Sequence, residues 1–193
     1  SLAWIILMGC EHERIHLETS SVIMRMLPIH YLCQSKLTQT KLSKTKLGST
    51  CSDSAPAPEN ELMPISGKLI EFGKPKSDDT FGWDNEYGYD SLTLNDFSAS
   101  KYLVSNQEYL AFVNAGGYQK TEFWTEEGKQ WLAFTKAVMP RFWFEKVIDA
   151  TTTGGDDRKN EQKEYWQRNL LNEMPLPLNW PVEVNYLEAK AFC

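Results

Sequence analysis

No apolar run in this chain is long enough to cross a bilayer. The most apolar stretch, residues 1–8 (S-L-A-W-I-I-L-M), is too short to span, and no basic segment precedes it, so neither a membrane span nor a signal peptide is expected. Positive charge is also short: 20 Lys and Arg face 26 Asp and Glu, and a net charge of −6 argues against a general nucleic-acid binder. The four cysteines, Cys10, Cys33, Cys51 and Cys193, show no C-x-x-C spacing and no dense framework, so a reducing, cytoplasmic setting is expected. There is no initiator Met, and the last helical signal stops after about two turns with no Gly or Pro exit. Both ends look cut, and the chain reads as a fragment of something longer. What is present suffices for a core: 41% apolar residues, with seven Trp, eight Tyr and nine Phe in 193 residues. That length fits one ordinary domain or two small ones.

The most informative stretch is Met8 to Ser21, M-G-C-E-H-E-R-I-H-L-E-T-S-S. His12 and His16 are four residues apart, so on a helix they stand one turn above each other on one face, where they can hold one divalent metal. Met8, Ile15, Val22 and Met26 interleave with His12 and Thr19 at steps of four and three. His12 therefore lies within the stripe a bundle helix turns to its core, with His16 at its edge. A lone histidine on such a face is usually a hydrogen-bonded core residue; two at this spacing point to a metal.

Two metal readings compete. H-E-R-I-H fits the zincin pattern H-E-x-x-H, with Glu13 as general base of a hydrolase. Its longer metzincin form fails, because Thr19 stands in place of the glycine and Val22 in place of the third histidine. A gluzincin-type ligand further downstream stays open. The alternative is H-x-x-x-H-x-E (His12, His16, Glu18) of a non-heme iron site. Glu18 is about 200° round the helix from His16, so a supporting or surface role suits it better than direct ligation. Glu11 and Glu13 read as solvated helix residues, Glu11 paired with Arg14. Both metal readings need at least one more protein ligand. His30 is a candidate, though a solvent-facing histidine in a connection is the plainer expectation.

The opening helix should run to about Leu27, ended by Pro28. Residues 36–50 repeat a five-residue unit (K-L-T-Q-T, K-L-S-K-T, K-L-G-S-T), a period that fits neither helix nor strand, and the stretch to Asn60 reads as linker or insertion. From Leu62 the pattern changes. P-I-S-G-K-L-I-E-F-G-K-P reads as a strand or hairpin arm, G-W-D-N-E-Y-G as an aromatic loop whose Trp83 and Tyr87 pack on the domain, and 97–104 as another strand. Ser105 and Glu108 form a capping box for a helix stopped by Gly116-Gly117; Thr125 caps another through about Val138, closed by Pro140. R-F-W-F is strand-like, residues 151–164 read as an exposed polar excursion, and P-L-P-L-N-W-P-V-E-V-N-Y leads extended into a last helix boxed by Asn185 and Glu188. Residues 62–193 fit a loop-rich α+β domain.

Several long blocks then occur in a fixed order: E-H-E-R-I-H-L-E-T-S-S, A-P-E-N-E-L, G-W-D-N-E-Y-G, S-K-Y-L-V-S-N-Q-E-Y-L-A-F-V-N-A-G-G-Y, F-W-T-E-E-G and W-P-V-E-V-N-Y-L-E-A-K-A-F-C. Together they resemble the 5-histidylcysteine sulfoxide synthase family of ovothiol biosynthesis, related to the sulfoxide synthases of ergothioneine biosynthesis. The resemblance covers nearly the whole chain apart from roughly 34–55 and 150–165. It implies an α+β organisation with residues 1–33 as the end of a DinB-like helical bundle and 34–60 as linker or insertion. Residues 61–193 would begin a formylglycine-generating-enzyme-like, C-type-lectin-like domain. It also implies Fe(II) held by His12 and His16, with L-cysteine, L-histidine and O2 as substrates and a sulfoxide-bearing C–S bond as product. The family takes its third histidine from an earlier helix that nothing here matches, and His30 does not fall in its place. Its substrate-binding groups, and the methyltransferase domain that usually follows, lie largely beyond the W-P-V-E-V-N-Y block. A zinc metallohydrolase or a non-catalytic binding module on a lectin-like core are the alternatives.

Overall fold

The computed structural model describes residues 2–32, 55–149 and 161–193. The five-residue repeat and most of the polar excursion lie outside the described residues. The described part is α+β: four α-helices with small antiparallel sheets. By internal packing it divides into residues 1–26 with 60–102 (unit 1) and residues 27–59 with 103–193 (unit 2). Among the described residues no helix is long and apolar enough to cross a membrane.

In unit 1, α1 (Leu2–Arg25) runs as expected and stops just before Pro28, whose ring cannot continue a helix. None of its residues is buried. The stripe expected to face a bundle core is open, with Ile15, Val22 and Met26 exposed and only Met8 half-buried. α1 is the only α-helix of unit 1 among the described residues, and its first turn packs on the loop that closes the ribbon. There Trp4 donates from Nε1 to the Gly82 carbonyl at 3.0 Å and sets its ring against Phe81.

The rest of unit 1 is a ribbon. β1 (Leu62–Ile65) pairs with β4 (Phe97–Ser100), and β2 (Leu69–Phe72) with β3 (Asp90–Thr93), all antiparallel. Leu62 opposite Ser100 and Phe72 opposite Asp90 belong to one register, so the ladders form a single ribbon interrupted at 66–68 and 94–96. The break is bridged by Gly67 N–H to Asp96 Oδ1 (2.6 Å) and Leu94 N–H to the Lys68 carbonyl (3.0 Å). At the closed end Gly73 takes φ +117°, and a Cβ there would collide with the Gly88 carbonyl. Inside the loop Trp83 and Tyr87 are half-buried, and Lys74 reaches Thr80 Oγ1 and the Phe81 carbonyl.

Unit 2 has the aromatic core. α2 (Asn106–Asn114) begins with the expected box: Ser105 Oγ accepts from Glu108 N–H, and Glu108 Oε2 accepts from Ser105 N–H. Its next free amides, which an isolated helix leaves to water, are taken from the Pro-rich segment; Asn106 N–H donates to the Trp180 carbonyl and Gln107 N–H to that of Leu178. α3 (Glu126–Thr135) ends three residues earlier than expected, because Lys136 turns left-handed (φ 56°) and returns its N–H to the Leu132 carbonyl. β5 (Trp143–Asp149), β6 (Glu161–Arg168) and β7 (Glu173–Pro175) form an antiparallel sheet in that order. This corrects the expected excursion to residue 164, since 161–164 pair in β6. The strand was hidden by its polar composition, which suits an exposed face where Lys163 bridges across to Glu145 at 2.7 Å. α4 (Tyr186–Phe192) closes the unit behind its Asn185–Glu188 box.

The centre of unit 2 is Tyr109, Val113, Tyr118, Trp124, Trp143, Leu176 and Ala191. Glu188 is buried among them and accepts from Tyr118 Oη at 2.5 Å and from Asn185 N–H at 2.8 Å. Burial raises its pKa above the ordinary 4.5, against the opposing pull of those two donors. Burial and the neighbouring carboxylate likewise raise the Tyr118 hydroxyl.

Two outcomes follow. Tyr118→Phe strands a buried carboxylate oxygen and should cost about 1–3 kcal/mol of stability in chemical denaturation. Because the folded pKa of Glu188 is raised, its contribution is complete below pH 4.5 and lost as pH rises through the elevated value. Relative to Glu188→Gln, the native protein should therefore lose stability as pH climbs from 4 toward neutrality, read by denaturation across about that range; a flat difference would contradict the burial.

Candidate metal centre

His12 and His16 sit mid-helix on α1, both exposed. The α-helix dictates their relation: one turn plus 40° separates them, and the two imidazoles converge. Their Nε2 atoms are 2.8 Å apart, with ring centroids 4.4 Å apart and planes at 80°. Two nitrogens each about 2.1 Å from a shared ion, at a right angle, would lie about 3.0 Å apart, so the pair fits two neighbouring positions on one metal. The same separation is that of an N–H···N hydrogen bond, in which one imidazole donates and the other accepts. A metal would take the place of that shared proton.

The rest of the expected set is arranged around this pair unequally. Glu13 and Glu18 are exposed on α1, and the Ser21 hydroxyl donates to the Glu18 main-chain carbonyl at 2.7 Å. Glu11 pairs with Arg14 at 3.2 Å, an exposed contact of small energetic weight. His30 lies in a single 3-10 turn (Ile29–Tyr31) in unit 2, with its ring against Tyr31 at 4.2 Å. Among the described residues no three His, Cys, Asp or Glu side chains gather where they could hold a metal ion. The chain thus presents two converging imidazole nitrogens, and no third such side chain gathers with them among the described residues. Thr19 supports the helix at this point: its hydroxyl donates to the Ile15 and His16 carbonyls at 3.0 and 3.2 Å.

The buried polar network of unit 2 is a feature that local reasoning missed. Tyr118 and Glu188 are 70 residues apart, and Asn106 is 71 from Pro177, whose carbonyl accepts from Asn106 Nδ2 at 2.8 Å. The capping pattern drew attention to Glu188, and nothing local signalled its tyrosine partner. Beside it opens a pocket of about 740 Å³ lined by Trp131, Met139, Arg141, Trp143, Glu183 and Glu188. None of the expected metal or catalytic residues lines it.

Compared with known proteins, the chain matches no protein-family model and no curated protein.

The pair makes a direct prediction. His12→Ala or His16→Ala should weaken divalent-metal binding by about tenfold or more, whereas Glu18→Gln should change it little, by titration against a competing chelator. Equal losses from the Glu18 and His12 variants would mean that the two-imidazole geometry is not the binding unit.

Proposed function

We propose that this chain carries part of a non-heme iron sulfoxide synthase, which joins the sulfur of L-cysteine to the imidazole ring of L-histidine using O2. The observation that carries the reading is the exposed His12–His16 pair with Nε2 atoms 2.8 Å apart. It lies on the histidine motif that heads the family resemblance. In this reading residues 1–33 belong to a DinB-like bundle and residues 61–193 to a formylglycine-generating-enzyme-like domain, joined by 34–60, in the cytoplasm. The α+β content of unit 2 and its aromatic core support the second assignment in its coarse form.

The reaction closes in atoms and electrons. Cysteine loses its S–H hydrogen and the imidazole ring one C–H hydrogen as the C–S bond forms. One oxygen atom of O2 goes to sulfur, and the other leaves as water with those two hydrogens. Fe(II), when bound, supplies a place where O2 and a thiolate meet. His12 and His16 would hold it through their neutral imidazole nitrogens. The third histidine implied by the resemblance has no counterpart beside the pair among the described residues. Two ligands hold iron weakly, so slow turnover or none is the proposal for these residues alone.

The test is anaerobic loading with Fe(II), addition of L-cysteine, L-histidine and O2, and mass spectrometry of the product, with free imidazole supplied as a third donor. With imidazole as the third donor a slow yield of coupled sulfoxide is expected, and without it little or none. Loss of either histidine should reduce it by about a hundredfold or more, beyond the effect typical of residues that merely support a ligand. Iron that binds with no coupled product would overturn the reaction. Zinc-dependent peptide cleavage abolished by Glu13→Gln would move the chain to the hydrolases.

A further inference from the structure

The loop that closes the ribbon of unit 1 carries the G-W-D-N-E-Y-G block, which the proposed reaction leaves unused. Its order is polar, and Lys74 is the hub at its mouth. The Lys74 N–H donates to the Glu86 carbonyl at 3.1 Å, and the Lys74 carbonyl accepts from Gly88 N–H at 3.1 Å. Its side chain, only 18% exposed, turns inward. There Nζ donates to Thr80 Oγ1 at 2.5 Å and to the Phe81 carbonyl at 3.0 Å, with Asp78 3.7 Å away. The stem of the same side chain lies directly over Gly82, where a Cβ would meet Lys74 Cδ at 2.9 Å. Only a glycine leaves that room.

Two consecutive peptide units are thereby held by opposite charges. The Phe81 carbonyl is taken by the Lys74 ammonium, and the Trp83 N–H by the Glu86 carboxylate at 2.6 Å. Between them stands the Gly82 carbonyl, which accepts from Trp4 Nε1–H at 3.0 Å. Gly82 C=O and Trp83 N–H are the two ends of one amide. A carboxylate drawing on that N–H polarises the amide and strengthens its oxygen as an acceptor. Phe81 sets its ring against the Trp4 indole at 5.7 Å, and Trp83 meets Phe81 edge-on at 6.1 Å. The block thus builds a seat, part polar and part aromatic, for one indole in the first turn of α1. Seat and helix both belong to unit 1.

We infer that Lys74 and Glu86 are positioning residues for the histidine helix: they set the Gly82 carbonyl that anchors Trp4, and the anchored first turn keeps α1 ordered through His12 and His16. The physical link is nucleation. A helix must fix one whole turn before each further residue gains a hydrogen bond, at a nucleation factor of about 10⁻³. A docked tryptophan holds that first turn in place. His12 follows Trp4 by eight residues, and the two imidazoles converge only while the turns between and beyond are helical. Lys74 and Glu86 touch neither histidine and act through Gly82 and Trp4. The consequence for metal affinity rests on the histidine pair being a metal site, as the proposed synthase does; the ordering of α1 does not.

The experiment is amide hydrogen exchange of the whole chain, read by mass spectrometry on the peptides of α1, with a zinc titration against a competing chelator on the same proteins. Lys74→Met, Glu86→Ala and Trp4→Leu should each speed exchange around His12 and His16 by about three- to tenfold, the range for one lost hydrogen bond. Exchange in unit 2 should stay unchanged, which controls for folding. Leucine is a better helix former than tryptophan, so the Trp4 variant cannot act through propensity. Glu86→Gln keeps an oxygen that can accept from Trp83 N–H and should restore most of the protection. In the Trp4→Leu background, Lys74→Met should add nothing, because its route to the helix is already cut. Zinc affinity should fall by the factor by which the ordered helix becomes rarer. Exchange of α1 that is unaltered in the Lys74 and Glu86 variants, or full additivity of Lys74→Met with Trp4→Leu, would overturn the positioning role. If zinc is bound equally well by all of them while exchange is unaltered, the metal reading stands without it. If no form binds zinc, the metal reading and the synthase fall together, and the exchange rates alone decide the positioning role.

Discussion

The carboxylate of Glu188 joins three segments that the chain brings in separately. It closes the first turn of α4 through Asn185, receives the hydroxyl of Tyr118, and lies beneath the α2 residue Tyr109, whose own hydroxyl donates to the Glu188 carbonyl at 3.3 Å. A buried carboxylate is tolerable only when its oxygens are hydrogen-bonded, so the group dictates where those donors must be. The aromatic packing follows: Tyr109 stacks on Phe192 at 5.3 Å and meets Trp143 edge-on, while Tyr118 lies against Trp124. Trp124 is fixed in turn by its Nε1–H on the Gly117 carbonyl.

Unit 1 is organised on the opposite principle. Among its described residues there is no buried cluster of that kind; its order comes from a long helix and a two-stranded ribbon whose backbone bonds are largely satisfied within each element. Two-stranded ribbons and lone helices are marginal in water, because neither buries enough apolar area to offset the entropy of ordering it. The side chains say the same. Leu62, Leu69, Phe72 and Leu92 on the ribbon, and Leu2, Ile5 and Ile23 on the helix, are all exposed. The histidine pair therefore stands on a helix with much of its apolar surface exposed.

What could be read locally was read well. The three N-terminal helix caps at Ser105, Thr125 and Asn185 are interactions across three residues, and a sequence displays both members at once. The convergence of His12 and His16 is equally local, a consequence of four residues on one helix. The misses share a different cause. β6 is a strand because β5 and β7 flank it, whereas its own composition, E-Q-K-E-Y-W-Q-R, reads as polar loop. α3 ends early because Lys136 adopts a left-handed conformation that no local residue type demanded.

By itself, then, the sequence determined the helix starts, the mixed α+β content and a converging pair of imidazoles, since each depends on neighbours within a turn or two. Only the tertiary structure decided that 62–72 and 90–100 form one ribbon in a single register, that Tyr118 finds Glu188, and that the histidine face of α1 is open. Those outcomes turn on which distant segment arrives to take a hydrogen bond or cover a surface. Loop closure and burial settle that for the chain as a whole, and no short window of residues contains the answer.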